Sequence, residues 1–438
     1  MNNKVVTRFP PSPTGFLHIG RMRTALFNYL FAKQNGGKLL FRFEDTDKAR
    51  SKVEFEEIMK DSLVWLGVSW DNAIIEKQSE RLEIYKKYLN KLIAEDIVYI
   101  SKEKIEEGEK AGQENEVVRF RNPNTKITFT DLIRGDITID TTDLEDFIIA
   151  RNINEPLYHL AVVVDDFEMG VTHIIRGEDG ISNTPRQILI QRAIGAPQPI
   201  YAHLPLILAA DRSKLSGRHG AVSVTEYREK GCLPEALINY LALLGWNPGT
   251  DQEIFTVDEL IKTFDITKVQ KAGAIFNEEK LKWFNKQYIA KLSDSDFLSH
   301  AQKYLPANFS HKLLPLIKEK ISYFGEIPSL LEGELSFVNP LPGYDKESLK
   351  WKQEPDLVNT KVYLKTVIDI LTNLNDFSKE SIKSALWPLA EEKGKGNILW
   401  PVRFALTGKD KSPDPFISAE ILGKEETLER LNFAHELL

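Results

Sequence analysis

One cysteine, Cys232, is all that the 438-residue chain holds. That excludes disulfides and any multi-cysteine zinc or iron–sulfur site, so no structural zinc and no protein-bound metal are expected. No run of 18 apolar residues occurs, so no segment is expected to span a membrane. The chain also lacks basic excess. Lys and Arg number 57 against 64 Asp and Glu, for a net charge of −7. This rules out a uniformly basic nucleic-acid coat while leaving room for a local basic face. No phosphate loop of the G-x-x-x-x-G-K-[ST] type is present, and there is no internal repeat or low-complexity tract. Met1-Asn-Asn-Lys4 runs directly into a strand-like segment without an apolar leader, which predicts a cytoplasmic protein. What is there is 42% hydrophobic and 28% charged, the balance of a folded globular chain. At roughly 150 residues per domain, two to four domains are expected.

The first hundred residues alternate in the α/β manner. Lys4–Phe9 is predicted as a buried strand, Gly20–Lys33 as a helix and Lys38–Phe43 as a second strand. Amphipathic helices are predicted over Glu54–Leu66 and Ser79–Ala94. That order implies a parallel sheet with crossover helices. From Ser101 to Thr142 the texture changes to charged residues and short strand-like pieces, the pattern of an insertion. Strand character returns at Ala161–Val164 and Val171–Arg176, and a helix is predicted over Thr184–Ile194. Beyond Pro234 the chain is predicted to be helical almost to its end, with Pro234–Leu244, Val257–Phe264, Asn277–Lys291 and Ser295–Tyr304 as clear cases.

Three motifs fall where open α/β sheets bind ligands, at the carboxyl ends of strands. The first is Pro11-Ser-Pro-Thr-Gly15-Phe-Leu-His18-Ile-Gly20, between the first strand and first helix. A helix N-terminus there offers free backbone N–H groups to an anion, and Gly15 and Gly20 permit close approach. The bland alternative is an ordinary Pro-rich turn, in which His18 would be structural. The second is Arg42-Phe-Glu44-Asp45-Thr-Asp47, where carboxylates cluster at a strand end. They suit an ammonium group or a metal, although Asp45 or Asp47 could instead cap the next helix. The third runs from Tyr158-His-Leu-Ala to Asp165-Asp166, and from Val171 to Arg176-Gly-Glu-Asp179. A strand-end arginine matches a carboxylate by its bidentate fork, the bland alternative being a surface ion pair of Arg176 with Asp165 or Asp166. A cationic loop follows at Asp211-Arg-Ser-Lys214-Leu-Ser216-Gly217-Arg218-His-Gly220. It carries +2 in ten residues with two glycines, and suits closure over a triphosphate or a plain solvated turn.

Together these motifs resemble the class I aminoacyl-tRNA synthetases of the glutamyl/glutaminyl branch. Pro-Ser-Pro-Thr-Gly-x-x-His-Ile-Gly is similar to the HIGH element, and Lys214-Leu-Ser-Gly217-Arg218 is similar to the KMSKS loop. The resemblance implies a Rossmann-type parallel-sheet catalytic domain with an α/β insertion, followed by an all-α anticodon-binding half. It implies Arg8, Ser12, Glu44, Tyr158 and Arg176 as glutamate contacts, with Glu44 on the amino group. It implies Gly15, His18, Gly20, Asp179, Ile207, Lys214, Ser216 and Gly217 for ATP, with His18, Lys214 and Arg218 stabilising phosphate charge and Mg²⁺ bound through ATP. Three positions depart from the family pattern. Gly217 replaces a lysine, Gly180 stands where His or Trp is common, and Val162 stands where some members have Asn.

Between Lys268 and Lys291 six lysines face only Glu278 and Glu279. Trp283, Phe284 and Tyr288 interleave at helical spacing, which favours core packing over base stacking. Lys282 and Lys286 are the candidates for RNA phosphate contacts. Lys271–Asn285 resembles the stem-contact region of bacterial glutamyl-tRNA synthetases, and Asn397–Gly408 their anticodon-binding region, with Lys320 as an expected base or phosphate contact. The expected segments are 1–95 and 158–205 for the two catalytic halves, 96–157 for an acceptor-end insertion, 206–293 for the loop and stem-contact domain, and 294–438 for the anticodon region. The expected partners are glutamate, ATP and tRNA-Glu, with the chain a monomer. Two alternatives remain at this point. One is an enzyme that also charges tRNA-Gln, and the other is a catalytically weak paralogue that binds RNA.

Overall fold

The computed structural model describes residues 4–104, 114–216, 220, 222–307, 309–340 and 343–438. Strand β1 (Val6–Phe9) leads through the Pro-rich turn into helix α1 (Ile19–Gln34) and then β2 (Lys38–Phe43). β1 and β2 pair in parallel, Arg8 opposite Leu40. The helix forms because Leu26, Phe27 and Leu30 are fully buried beneath it. Truncating one such side chain to Ala costs about 2–5 kcal/mol. α2 (Val53–Trp65), β3 (Glu76–Lys77) and α3 (Leu82–Ala94) complete the first half, with β3 parallel to β2.

The inserted segment divides in two. β4 (Val98–Lys104) and β5 (Glu114–Phe120) form an antiparallel sheet of their own with two later strands. The hairpin of β6 (Lys126–Asp131) and β7 (Gly135–Asp140) does not join it. β8 (Phe147–Asn152) and β9 (Glu155–Pro156) close the separate sheet.

Next comes α4 (Tyr158–Glu168), and this corrects a sequence expectation. The strand expected over Ala161–Val164 is instead the middle of this helix. Leu160 to Val164 are all at most 2% exposed. A helix buried on every side shows no apolar stripe, so a β-branched run looks the same in either form. Burial among α3 and α5 (Thr184–Ile194) decides it.

β10 (His173–Gly177) and β11 (Ile200–Leu204) pair in parallel, Arg176 opposite His203. The Thr172 N–H donates to the Val6 carbonyl at 2.9 Å, bringing β10 alongside β1. The β6–β7 hairpin attaches to the far side of β11 through Tyr201 and Asp131. The sheet therefore runs β3-β2-β1-β10-β11-β6-β7, a Rossmann-type arrangement extended by a hairpin from the inserted segment. β12 (Ile207–Leu208), α6 (Val224–Glu229), α7 (Pro234–Leu243), α8 (Val257–Thr263), β13 (Ala274–Ile275) and α9 (Glu278–Lys291) follow, β12 pairing with β13.

The chain forms two compact units, Met1–Tyr288 and Ile289–Leu438. The second unit is helical: α10 (Asp294–Ala301), α11 (Leu314–Lys320), α12 (Ile327–Glu332), α13 (Leu357–Thr372), α14 (Lys379–Lys393), α15 (Lys395–Thr407), α16 (Pro415–Leu422) and α17 (Lys424–Leu437). Leu364, Leu386, Ile398, Leu406 and Leu431 are fully buried in its core. Arg430 is buried there too, donating to the carbonyls of Phe337 and Leu406, each at 2.7 Å. Among the described residues no helix is long and apolar enough to cross a membrane.

Candidate active site

The turn after β1 and the end of β2 are stitched together by a bond from the Glu44 N–H to the Pro11 carbonyl, 3.0 Å. Ser12 lies in that turn, its carbonyl accepting from Arg21 at 3.1 Å. His18 is the N-cap of α1, and its Nδ1 accepts the Gly20 N–H at 3.0 Å. Burial, with Arg21 and Lys214 adding to it against Glu226, holds the imidazole below its usual range. The neutral ring thus carries its proton on Nε2, a donor beside the free N–H groups of the helix terminus. At Gly15 an added Cβ would meet nothing within 4 Å.

Arg42 is completely buried. It donates to Asp166 at 2.5 Å and to Glu44 at 3.0 Å. Burial opposes its charge, but Asp166, Glu44 and Asp165 outweigh that and raise its pKa. Arg8 also reaches Asp166, through Nε at 3.2 Å. Its two terminal nitrogens make no hydrogen bond among the described residues. Asp165, one residue earlier on α4, accepts from Gln78 at 2.9 Å, Arg81 at 2.7 Å and Tyr85 at 2.8 Å. Three guanidinium groups thus balance Glu44, Asp165 and Asp166. Two carboxylates near a helix C-terminus oppose the helix dipole, and these arginines supply the compensation. Burial, eased by Arg42 and Arg8, raises the pKa of Glu44.

Tyr158 opens α4. Its phenol is pushed up by burial first and by Glu44 second, while Arg176 and Arg8 act the other way. That coupling brings Tyr158, Glu44, Arg8 and Arg176 to one place. Arg176 pairs with neither Asp165 nor Asp166 by hydrogen bond. It donates through Nε to His203 at 3.1 Å, through Nη1 to Gln187 at 2.8 Å, and through Nη2 to the Gly180 carbonyl at 3.0 Å and Thr184 at 2.8 Å. One Nη1 hydrogen is left, so the bidentate fork expected from the sequence is reduced to a single donor in this arrangement. Asp45 and Asp47 do not cap α2, whose N-cap is Lys52. Asp45 accepts from Ser79 N–H at 2.8 Å, and Asp47 pairs with Arg50 at 2.6 Å.

Ile207 lies on β12, and its carbonyl takes the Leu215 N–H at 3.0 Å. This anchors the cationic loop to the sheet. Lys214 lies 3.4 Å from Asp179, both about two-thirds exposed at 65% and 64%, and its charge reaches His18. Ser216 is half-buried. Gly217 and Arg218 lie outside the described residues. On α9, Lys282 pairs with Glu279 at 2.7 Å, and Lys286 follows one turn later. Phe284 is fully buried, the Tyr288 hydroxyl donates to Asn239 at 2.7 Å, and Trp283 is 40% exposed. In the helical unit Lys320 pairs with Glu334 at 2.7 Å. Among the described residues no group of three or more His, Cys, Asp or Glu is placed to hold a metal ion.

Sequence reasoning missed His203, Gln187 and Asp131, and saw Asp166 only as a surface partner. A histidine within the apolar strand Ile200–Leu204 is the one local signal, since a buried imidazole needs partners.

The parallel sheet, the histidine-capped start of α1 and the strand-end arginines all lie within the part of the chain that matches the catalytic domain of class I aminoacyl-tRNA synthetases. The family model described as "tRNA synthetases class I (E and Q), catalytic domain" matches residues 4–112 and 95–283, and one described as "Anticodon binding domain" matches 277–435. A curated "Glutamate--tRNA ligase" of Thermodesulfovibrio yellowstonii is 39% identical, with 98% of each chain covered. Another from Carboxydothermus hydrogenoformans is 40% identical, covering 98% of this chain and 99% of its own. The crystal structure of a glutamate tRNA ligase from Elizabethkingia meningosepticum, in complex with its amino acid, superposes with a TM-score of 0.87 at 35% identity, covering 99% of both chains. The chain belongs to the bacterial glutamate–tRNA ligase family of class I aminoacyl-tRNA synthetases.

Proposed function

We propose that the chain activates glutamate with ATP and transfers it to the 3′ end of tRNA-Glu. The observation that carries this is the charge pattern of the pocket. Arg8 and Arg176 offer guanidinium donors on different strands, and Glu44 faces them with a carboxylate whose pKa is raised. Glutamate has two carboxylates and one ammonium, the complementary set. Tyr158 closes one side, and Ser12 lines the turn.

In the first step the α-carboxylate attacks the α-phosphorus of ATP, forming glutamyl-adenylate and releasing pyrophosphate. A terminal ribose hydroxyl of the tRNA then attacks the activated carbonyl and AMP leaves. No side chain forms a covalent bond; positioning and electrostatics lower the barrier. The Nε2–H of His18 and the α1 N-terminus serve the phosphates, with Lys214 and Arg218 on the loop and Gly15, Gly20, Ile207, Ser216 and Gly217 as backbone or shape contacts. Asp179 serves the ribose. Mg²⁺, held through the ATP phosphates, would supply neutralisation of their charge. Segments 96–157 and 206–293 would hold the acceptor end and stem, with Lys282 and Lys286 on phosphates, and 294–438 the anticodon, with Lys320 near it. The protein would act as a cytoplasmic monomer.

The neutral, capped His18 and the intact pocket favour an active enzyme over a paralogue that only binds RNA. Aminoacylation of separate tRNA-Glu and tRNA-Gln transcripts with labelled glutamate tests the proposal. Charging of tRNA-Glu is expected. No charging of either transcript would overturn it, and charging of both would establish relaxed tRNA choice.

A further inference from the structure

Arg176 does not set its own direction. Parallel pairing of β10 with β11 places it opposite His203. The two-residue period of β11 puts Tyr201 on the same face as His203. The Tyr201 and His203 rings stack at 5.9 Å with an interplanar angle of 6°, and the Arg176 guanidinium lies 5.8 Å from the Tyr201 ring centroid. His203 is fully buried, and its Nδ1 lies 2.7 Å from Oδ2 of Asp131, also buried. An ionised carboxylate only accepts, so Nδ1 carries the proton. Nε2 is left with a lone pair, and Arg176 Nε–H donates into it. Burial, opposed by Asp131, keeps the His203 pKa below its usual range and so the imidazole neutral, with its single proton on Nδ1.

Asp131 is itself held. Its Oδ1 accepts from the Ile133 and Arg134 N–H groups, each at 2.9 Å, and its Oδ2 from the His203 N–H at 3.0 Å. Arg134, in the same turn, pairs with Glu178 two residues beyond Arg176. On the other flank Gly180 leaves room. A Cβ there would sit 2.5 Å from Arg176 Nε and 2.8 Å from its Cδ.

We propose that Asp131 and His203 are positioning residues for the amino-acid pocket, aiming Arg176 from a hairpin that the inserted segment contributes to the catalytic sheet. This rests on Arg176 contacting glutamate, as proposed above. The pair fixes the imidazole tautomer, the imidazole fixes Nε, and one Nη1–H remains for a substrate carboxylate. In this chain's arrangement Gly180 belongs to the same device, because a Cβ there would require the Arg176 side chain to shift.

Steady-state kinetics of four variants test it, with thermal melting as a check on folding. His203→Asn can keep the donor to Asp131 and loses the acceptor for Arg176. It should raise the glutamate KM about tenfold, with the ATP KM unchanged within about twofold. His203→Gln returns an acceptor near the Nε2 position and should recover most of that loss. Gly180→Ala leaves the Asp131–His203 pair intact and should raise the glutamate KM in the same way, so it reads the displacement even if His203→Asn does not fold. Arg176→Ala separates the two claims. If it leaves the glutamate KM unchanged, the pocket assignment itself falls. If it raises that KM while His203→Asn and Gly180→Ala do not, the positioning proposal alone is overturned. Equal rises in the glutamate and ATP KM values would also overturn it, since they mark general damage.

Discussion

Arg8 Nε lies 3.2 Å from Oδ1 of Asp166, the same oxygen that takes a bond from Arg42 at 2.5 Å. One carboxylate on α4 therefore holds two guanidinium groups on neighbouring strands. Arg8 keeps its terminal nitrogens for another acceptor, which suits a substrate carboxylate. Arg8→Ala should raise the glutamate KM by the value of a charge-assisted hydrogen bond, about 1.5–3 kcal/mol or roughly 10- to 150-fold. Unchanged glutamate kinetics would remove Arg8 from the pocket.

Asp166→Ala is expected to act on the whole fold instead. It would leave Arg8 and Arg42 buried beside Glu44 with too little negative charge. Breaking a buried pair from one side costs about 3–5 kcal/mol. Urea unfolding at pH 7 should show a loss of that size. A loss under about 1 kcal/mol would mean that water or a shifted side chain replaces the carboxylate.

The pH dependence of amino-acid binding should follow Glu44. Burial raises its pKa, so on acidification it takes a proton before an ordinary glutamate would. The neutral acid no longer attracts an ammonium group. Asp166 stays charged over the same window, because Arg42 and Arg8 outweigh its burial and lower its pKa. The glutamate KM should therefore rise on acidification at pH values above the range in which an ordinary carboxylate takes its proton. In Glu44→Gln it should be high throughout and nearly flat. A wild-type profile that is flat across this window would detach the ammonium site from Glu44.

Lys214 projects from the loop toward the charges of His18 and Asp179. Lys214→Ala should slow tRNA-dependent ATP–pyrophosphate exchange by about 10²–10³-fold, the usual effect of one preorganised donor, with little change in the glutamate KM. Arg218→Ala and Gly217→Lys then divide the remaining charge. A severe Arg218→Ala with a nearly silent Gly217→Lys would show that Arg218 replaces the missing lysine. A faster Gly217→Lys would show that nothing does. Exchange unaffected by all three substitutions would separate the loop from the phosphates.

Chelation should not touch the fold. Purified protein treated with a strong chelator and returned to Mg²⁺ should recover full aminoacylation and contain no stoichiometric zinc. Metal that survives the treatment at one equivalent per chain would contradict this.

Local chemistry was open to sequence reasoning. The Pro-rich turn and the anion-ready start of α1 depend on neighbours within a few residues. So do the β1-α1-β2 order and the helical texture beyond Pro234. Motifs of this kind also carried the family resemblance, because Arg8, His18, Glu44, Tyr158 and Arg176 keep fixed spacing from turns and strand ends. Partners distant in sequence were not legible. Whether Ala161–Val164 would be strand or helix depended on what packed against it. Asp166 meets Arg8 across 158 positions, and Asp131 meets His203 across 72. No local pattern encodes such pairs, because a buried charge needs a partner of opposite sign but not one at any particular distance along the chain. The residue types were set by the sequence; which of them would share a low-dielectric interior, and so which arginine would be aimed at the pocket, was decided by the order of strands in the folded sheet.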